Sequence, residues 1–334
     1  MTDEAAGLLR AGLRNLWYPV CPSYQVQDSP AGITRLSEQI VLWRDAAGKV
    51  RAVEDRCPHR GARLSLGWNL GDRLACWYHG VEVDATGTAC RVPAQANCRL
   101  EGRQLLKTYP AEERNGAIFL WFGEGAPAPL VLPEEMTSDE YDGFLCTAQW
   151  GCNWMYAVDN VMDPMHGAYL HAASHSMAYG DKSAEMQVTR TDTGILFEKT
   201  GQKGVNFDWV EFGETNCHWM RLAIPYRPSA GPGGPFTICG FVTPVDEETC
   251  RVFFWRIRKV SGWQRHTWRF LYKTRLEGLH WAVLEQDREV LENMTPDARS
   301  KEFLYQHDAG LGRLRAMLLR QAREQIDAGA VAAQ

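Results

Sequence analysis

The 334-residue chain has no run of about 18 consecutive apolar residues, so it offers no candidate for a membrane-crossing helix. It also lacks a long block of like charge. Its 36 Lys and Arg against 41 Asp and Glu leave a net charge of −5, which suggests no affinity for nucleic acid driven by phosphate neutralisation. The opening residues, MTDEAAGLLRAGL, have neither the cationic start nor the small-residue cleavage site of a secretory leader. The expectation is therefore a soluble, cytoplasmic protein without a membrane partner. No G-x-G-x-x-G fingerprint stands between a strand and a helix, so this chain is not expected to bind a dinucleotide itself. No internal repeat is present. What the chain does have is 45% hydrophobic and 23% charged residues, ample for a buried core, at a length that suggests two domains.

Ten cysteines and nine histidines call for inspection. In a long cytoplasmic chain most thiols are expected to be reduced, and those placed beside histidines invite a metal reading. Residues 40–54, IVLWRDAAGKVRAVE, read as an apolar run, a Gly-containing turn and a second alternating run, the pattern of a β-hairpin. Residues 116–122, GAIFLWF, repeat the style. The stretch 123–136, GEGAPAPLVLPEEM, is dense in Gly, Ala and Pro and sets a boundary between domains 1–125 and 126–334. The second part opens with a helical stretch over 152–175. Strand-like runs then start at Gly194, Val205 and Cys250 and predict a sizeable antiparallel sheet. Residues 229–235, SAGPGGP, read as a loop between strands. Apolar spacing of three and four over 263–294 and 311–326 predicts two amphipathic helices.

The strongest signal is Cys57-Pro58-His59 followed, after sixteen residues, by Cys76-Trp77-Tyr78-His79-Gly80. Two cysteines with two histidines admit tetrahedral zinc, or a [2Fe–2S] cluster with both thiolates on one iron and both imidazoles on the other. Zinc fingers usually group the cysteines in one half and the histidines in the other. Here each half is mixed, so two similar loops can each give sulfur to one iron and nitrogen to the other, which favours the cluster.

With Arg60, Gly61 and Gly80 around these ligands, the segment resembles the Rieske domain of Rieske non-haem iron oxygenases, in their catalytic (alpha) subunit of the aromatic ring-hydroxylating type. Respiratory Rieske proteins carry an extra disulfide-forming cysteine pair. Here the neighbouring positions hold Pro58, Ala62, Trp77 and Tyr78, which favours the oxygenase type. The family commonly has Pro after the second cysteine and Trp after the His-Gly pair, where this chain has Trp77 and Val81.

A cluster of this kind moves one electron and leaves the remaining residues without a role. They contain Asn160-Val161-Met162-Asp163-Pro164-Met165-His166, then His171 and His175. The family's pattern of Asp, two residues, His, four residues, His fits Asp163, His166 and His171. On a regular helix positions i and i+4 lie nearest, which by itself would pair His171 with His175. Pairing His166 with His171 therefore requires a bend or a π-type irregularity between them. An oxygen-activating iron needs a carboxylate as well as two histidines. The family takes it from a late helix, and the resemblance implies Asp287, with Glu285 and Glu289 as rivals. By the same resemblance Asp163 bridges a cluster histidine of one subunit, here His79, and an iron-ligand histidine of its neighbour. Asn160 is implied as a near neighbour of the iron, and His175 as a helix-end or supporting histidine.

The resemblance runs from about Trp17 to Asp287. It implies an α+β fold: an N-terminal all-β Rieske domain and a C-terminal helix-grip (START-like) catalytic domain with a curved antiparallel sheet. It implies a terminal oxygenase in which electrons from NAD(P)H arrive through a separate reductase, possibly with a ferredoxin, and pass from the [2Fe–2S] cluster to a mononuclear Fe(II). There O2 is activated to hydroxylate, dihydroxylate or oxidatively demethylate an aromatic substrate. A homotrimer is implied, with or without a β-subunit. Trp154, Tyr156, Trp209, Phe236, Phe241 and Trp255 are candidates for the pocket. Cys90, Cys98, Cys146, Cys152, Cys217, Cys239 and Cys250 read as small buried hydrophobes, Cys21 has no partner motif, and His218, His266, His280 and His307 have no spacing that supports a metal. The rival reading is a Rieske electron-transfer protein whose second metal site is vacant.

Overall fold

In the computed structural model, which describes residues 2–174, 182–226 and 231–332, the opening helix α1 (Thr2–Ala11) packs against the last helix of the chain. Residues Asn15–Ala128 together with Thr243–Asp246 form one unit, and Met1–Arg14, Pro129–Val242 and Glu247–Gln334 form the other. The amino terminus thus belongs with the second unit, which differs from the expected division at 125/126. Ala5 and Leu9 are buried, and the Leu9 carbonyl accepts from Trp154 Nε1 at 2.7 Å. Partners so far along the chain leave no mark in local sequence.

The first unit is built from eleven short strands. These are β1 (Trp17–Pro22), β2 (Ala31–Arg35), β3 (Glu38–Arg44), β4 (Val50–Glu54), β5 (Trp68–Asn69), β6 (Arg73–Ala75), β7 (Glu82–Asp84), β8 (Thr88–Arg91), β9 (Arg103–Gln104), β10 (Ala111–Arg114) and β11 (Ala117–Trp121). They form three antiparallel sheets ordered β1-β11-β10, β2-β3-β4 and β5-β6-β7-β8-β9. The hairpin expected over 40–54 is β3 and β4, in register from Ile40 opposite Glu54 to Arg44 opposite Val50. The middle of β3, Ile40 to Trp43, is buried continuously and not on alternate residues, because both its faces are covered. Val41, Trp43, Val53, Leu64, Leu74, Val83 and Leu106 make a core that also contains Cys57 and Cys76.

The second unit continues with α2 (Glu134–Thr137), β12 (Tyr141–Trp150), α3 (Trp154–Val161) and α4 (Gly167–Leu170). Six strands follow: β13 (Met186–Arg190), β14 (Gly194–Lys199), β15 (Trp209–Glu214), β16 (His218–Ile224), β17 (Phe236–Pro244) and β18 (Cys250–Lys259). Then come α5 (Gly262–Leu271), α6 (Glu277–Glu292), α7 (Ala298–Lys301) and α8 (Ala309–Ala332). The seven-stranded sheet runs β12-β18-β17-β16-β15-β14-β13, an antiparallel meander closed at one end by the strand that opened it. The run from Val205 becomes a strand only from Trp209, since Asp208 turns back to accept from the backbone N–H groups of Val205 and Asn206. Of the glycine-rich stretch 229–235, residues 229 and 230 lie outside the described residues, and the rest joins no element before Phe236.

The helix expected over 263–294 is α5 and α6 joined by a π-helical turn, Tyr272–Leu276. Tyr272 is fully buried there and stacks on Phe144 of β12 at 4.1 Å, with Trp268 edge-on to both rings. These contacts lay the helical run on the sheet face formed by β12 and β18. The result is an all-β first unit and a second unit of antiparallel sheet plus helices, as expected. No described helix is long and apolar enough to cross a membrane.

Candidate metal centres

Residues 57–62 and 76–81 form two loops of the same construction. In one, the Cys57 N–H donates to the Ala62 carbonyl at 2.7 Å and the Gly61 N–H to the Cys57 carbonyl at 2.9 Å. In the other, the Cys76 N–H donates to the Val81 carbonyl at 2.8 Å and the Gly80 N–H to the Cys76 carbonyl at 2.9 Å. Both closures need a left-handed residue in the fourth helical-turn position after the cysteine, and glycine supplies it with φ of 76° at Gly61 and 72° at Gly80. The loops superpose in pattern, with His59 third in its loop and His79 fourth.

The donors are sorted by depth. Cys57 and Cys76 are buried in the core, while His59 and His79 are exposed with ring centroids 4.8 Å apart. All ten cysteines are free of disulfides, and the others are mostly buried as expected, although Cys90 and Cys98 are only half-buried. Burial, reinforced by the adjacent Cys76 thiol, pushes the Cys57 thiol up to about 11. A thiol so placed, in an apolar core beside a second thiol, resists ionising unless a cationic centre joins it. Soft thiolates inside and imidazoles outside therefore fit a [2Fe–2S] cluster with one inner and one outer iron.

The second cluster arises where α3 stops. Asn153 caps the helix start by accepting from Met155 N–H at 3.1 Å. At the other end Pro164 disfavours helical backbone at Asp163, and the Asp163 carboxylate accepts from Met165 N–H at 2.7 Å, turning the chain into α4. His166 and His171 flank the single turn of α4 as its two end residues. The five-residue spacing is thus accommodated by a bend. The π-helical turn lies elsewhere, between α5 and α6. His175 lies outside the described residues.

Asp287 reaches this pair from α6. Its Oδ1 is 3.2 Å from His171 Nε2 and 3.5 Å from His166 Nε2, and potential ligand atoms of the three residues all lie within 4.8 Å of one another. Among the described residues this is the one such group of His, Cys, Asp or Glu side chains. Asn160 Nδ2 donates to Asp287 Oδ1 at 3.2 Å. The rivals face elsewhere: Glu285 pairs with Arg288, and Glu289 is exposed.

Gln286, which sequence reasoning passed over, fixes the tautomer of His171. Its Oε1 can only accept, so His171 Nδ1, 2.9 Å away, carries the proton. In the neutral ring Nε2 then presents a lone pair toward the Asp287 carboxylate oxygen at 3.2 Å, in a place where His171 is 1% exposed. Two electron-rich atoms facing each other out of water call for a cation between them. Burial lowers the proton affinity of His166, but the carboxylates of Asp163 and Asp287 outweigh it and leave its pKa raised. Asp163 Oδ2 lies 3.7 Å from His166 Nδ1, beyond hydrogen-bonding distance but close enough for charge attraction. Burial would raise the Asp163 pKa, and His166 with the Met165 N–H holds it down. The donor set of two imidazoles and one carboxylate fits a non-haem Fe(II) that keeps open coordination positions.

An apolar cavity adjoins the three residues. Phe207, Leu222, Phe236 and Phe254 wall it on one side and Val283 and Leu284 of α6 on another, with Arg256 and His280 as further polar members. Of the six aromatic candidates, Phe236 lines this cavity. Trp209 borders a different, polar depression, Phe241 packs against Trp255 at 5.3 Å, Tyr156 lies under Arg299, and Trp154 is buried against α1. His280 belongs to the cavity lining. Its signal is its place seven residues before Asp287 on one helix face.

A Rieske [2Fe–2S] domain model matches residues 16–110, and a model of the vanillate O-demethylase oxygenase C-terminal domain matches residues 150–324. The vanillate O-demethylase oxygenase subunit of Pseudomonas sp. (strain HR199 / DSM 7063) is 38% identical over 187 residues, covering 54% of this chain and 51% of that protein. The tert-butanol monooxygenase / tert-amyl alcohol desaturase oxygenase subunit of Aquincola tertiaricarbonis is 28% identical over 273 residues, 73% of this chain and 56% of that protein. The chain spans about half the length of the curated relatives it matches. The terminal oxygenase of carbazole 1,9a-dioxygenase from Novosphingobium sp. KA1 shares the fold, with a TM-score of 0.78 at 20% identity over 96% of this chain and 95% of that one. Fold and domain models together define the class of Rieske-type oxygenase subunits. More narrowly, this chain belongs to the family of the vanillate O-demethylase oxygenase C-terminal domain, preceded by a Rieske domain.

Proposed function

We propose that this protein is a terminal oxygenase that hydroxylates or oxidatively demethylates an aromatic substrate. The observation that carries the proposal is the convergence of His166, His171 and Asp287 beside an apolar cavity, in a chain that also has the paired Cys/His loops. Cys57, Cys76, His59 and His79 would hold the [2Fe–2S] cluster, and His166, His171 and Asp287 would hold Fe(II). Together these groups supply single electrons and a site for reducing O2 beside the substrate.

The chain's own residues do the positioning. Gln286 orients the His171 ring through Nδ1, and Asn160 steadies the Asp287 carboxylate, so two of the three ligands are held before the metal arrives. The phenylalanine walls exclude water and favour a flat apolar ligand. Asp163, charged and partly exposed beside His166, is suited to accept a hydrogen bond from an imidazole of a neighbouring subunit, here His79. That role requires an oligomer, and a homotrimer, with or without a β-subunit, is the arrangement we propose. Electrons would come from an NAD(P)H-dependent reductase, directly or through a ferredoxin, in the cytoplasm.

Anaerobic purification followed by iron and acid-labile sulfide analysis, with electron paramagnetic resonance of the reduced protein, tests the proposal. Three irons and two sulfides per chain with a Rieske-type signal are expected. Two irons, with no third recovered on adding Fe(II), would refute the oxygenase and leave an electron carrier with a vacant second site.

A further inference from the structure

The helix that leads to the metal group, α3, is too short to hold its own place. Its eight residues make about two turns, and an isolated helix of that length is not stable in water. Its position is therefore set by what packs on it. The starting end is tied to α1: Trp154 Nε1 donates to the Leu9 carbonyl at 2.7 Å, and Asn153 Nδ2 to the Arg10 carbonyl at 3.1 Å. The other end carries two consecutive polar residues that meet different neighbours. Asn160 donates to Asp287 Oδ1 on α6, and Asp159, about 100° around the helix, meets α7 and α8.

Asp159 is held there by two guanidinium groups. Its Oδ2 accepts from Arg299 Nη1 at 2.7 Å, and from Arg315 Nη2 at 2.6 Å and Nε at 3.1 Å. Arg315 is gripped in turn by Glu302, just after α7, which accepts from Nη1 at 2.5 Å and from Nη2 at 3.2 Å. The Asp159 side chain is 12% exposed and that of Arg315 18%. An isolated surface ion pair fixes little, but a network of forked pairs shielded from water has the geometry and the strength to set a two-turn helix.

The consequence for the metal group is geometric. The Asp163 N–H donates to the Asn160 carbonyl at 3.1 Å, so the end of α3 runs directly into the bend that presents His166. A shift of α3 by about 0.5 Å away from α6 takes the 3.2 Å contact of Asn160 with Asp287 beyond hydrogen-bonding range. We propose that Asp159, clamped by Arg315 and Arg299, is a positioning residue for the metal-binding group: the ion network sets α3 at the distance from α6 at which Asn160 orients the Asp287 carboxylate. This rests on the reading of His166, His171 and Asp287 as iron ligands. It makes metal affinity depend on side chains of α7 and α8 that are not ligands.

Fe(II) titration of the chelator-treated full chain under nitrogen tests this, with the melting temperature read on the same samples. Arg315→Gln is expected to weaken Fe(II) binding by about 10-fold and Asn160→Ala by about 10- to 100-fold. The double variant should bind no more weakly than Asn160→Ala alone, because both changes act through one contact. Arg315→Lys, which restores the charge without the fork, should recover part of the loss. Stability behaves differently: Arg315→Gln should lower the melting temperature to the same extent with and without Asn160→Ala. Arg221→Gln breaks a comparable network with Glu135 and Glu211 on the sheet, and should cost stability while Fe(II) affinity stays that of wild type. Losses of affinity that add in the double variant would overturn the proposal, as would wild-type affinity in Arg315→Gln or an equal loss in Arg221→Gln. Should Arg315→Gln fail to fold, Arg299→Gln, which removes the other guanidinium, answers the same question in the same cycle. Wild type that takes up no third iron would refute the metal site and this proposal with it; wild-type uptake with an unaffected Arg315→Gln protein would refute the positioning role alone.

Discussion

Replacing Asp287 by Asn keeps the shape of the side chain and the oxygen that Asn160 contacts, and removes one negative charge from the three-residue group. The size of the effect follows from the 3.5 Å separation of Asp287 Oδ1 from His166 Nε2. At an effective dielectric of about 20, a carboxylate at that range attracts each positive charge by about 5 kcal/mol. If desolvation cancels half of this, about 2 kcal/mol per charge remains, and a divalent ion loses about a thousandfold in affinity. The assay is Fe(II) titration of chelator-treated protein under nitrogen, with the cluster's visible absorption followed in the same samples. Asp287→Asn should take up no third iron and form no product, with the cluster spectrum unchanged. Glu285→Gln, altering a residue already paired with Arg288, should bind iron as wild type does. An Asp287→Asn protein that held the third iron at the wild-type free Fe(II) concentration would refute the ligand assignment.

Gln286→Leu should leave His171 free to rotate and weaken Fe(II) binding by about 10- to 100-fold, measured by the same titration; unaltered affinity would show that Gln286 does not orient the ring. Asp163→Asn should keep both metals yet slow cluster oxidation in single-turnover mixing with substrate and O2, and a wild-type rate would remove Asp163 from the electron route. Burial pushes the His218 imidazole down to about 4, against a weaker hydrogen bond to Gln321. The folded protein therefore keeps it neutral while the unfolded chain protonates it below about pH 6.5, so its stabilising effect is complete above that pH and lost as pH falls toward 4. Because the ring is partly exposed, the loss between pH 7 and pH 5 should be about 1–2 kcal/mol, and His218→Gln should flatten that part of the urea stability profile. An equally steep profile in the variant would assign the acid sensitivity to other groups.

Sequence alone determined the parts whose chemistry is written locally. Cys57 to Gly61 and Cys76 to Gly80 carry both the donors and the glycines that close their loops, so two equivalent turns could be read from twenty-odd residues. Asp163 and Pro164 likewise contain the reason α3 stops before His166, although the spacing alone left a bend and a π-type turn as equal solutions. The amphipathic repeats of α6 and α8 and the alternating runs of the hairpin were legible because one face of each must be apolar.

Tertiary structure decided what depends on distant partners. Asp287 was distinguished from Glu285 and Glu289 by resemblance, and physically it differs because its face of α6 meets His166 and His171 while the others face Arg288 and solvent. The choice of Phe236 among six aromatics, and the use of Gln286, are of the same kind: each depends on what another element places opposite. So is the joining of α1 to the second unit, since α8 lies some 300 residues away in the chain. Arg256 shows the point most clearly. In the sequence it is one basic residue in a strand, and only the fold buries its guanidinium beside a cavity, against Tyr272 and the His280 carbonyl, because the cost of a charge depends on what surrounds it in three dimensions.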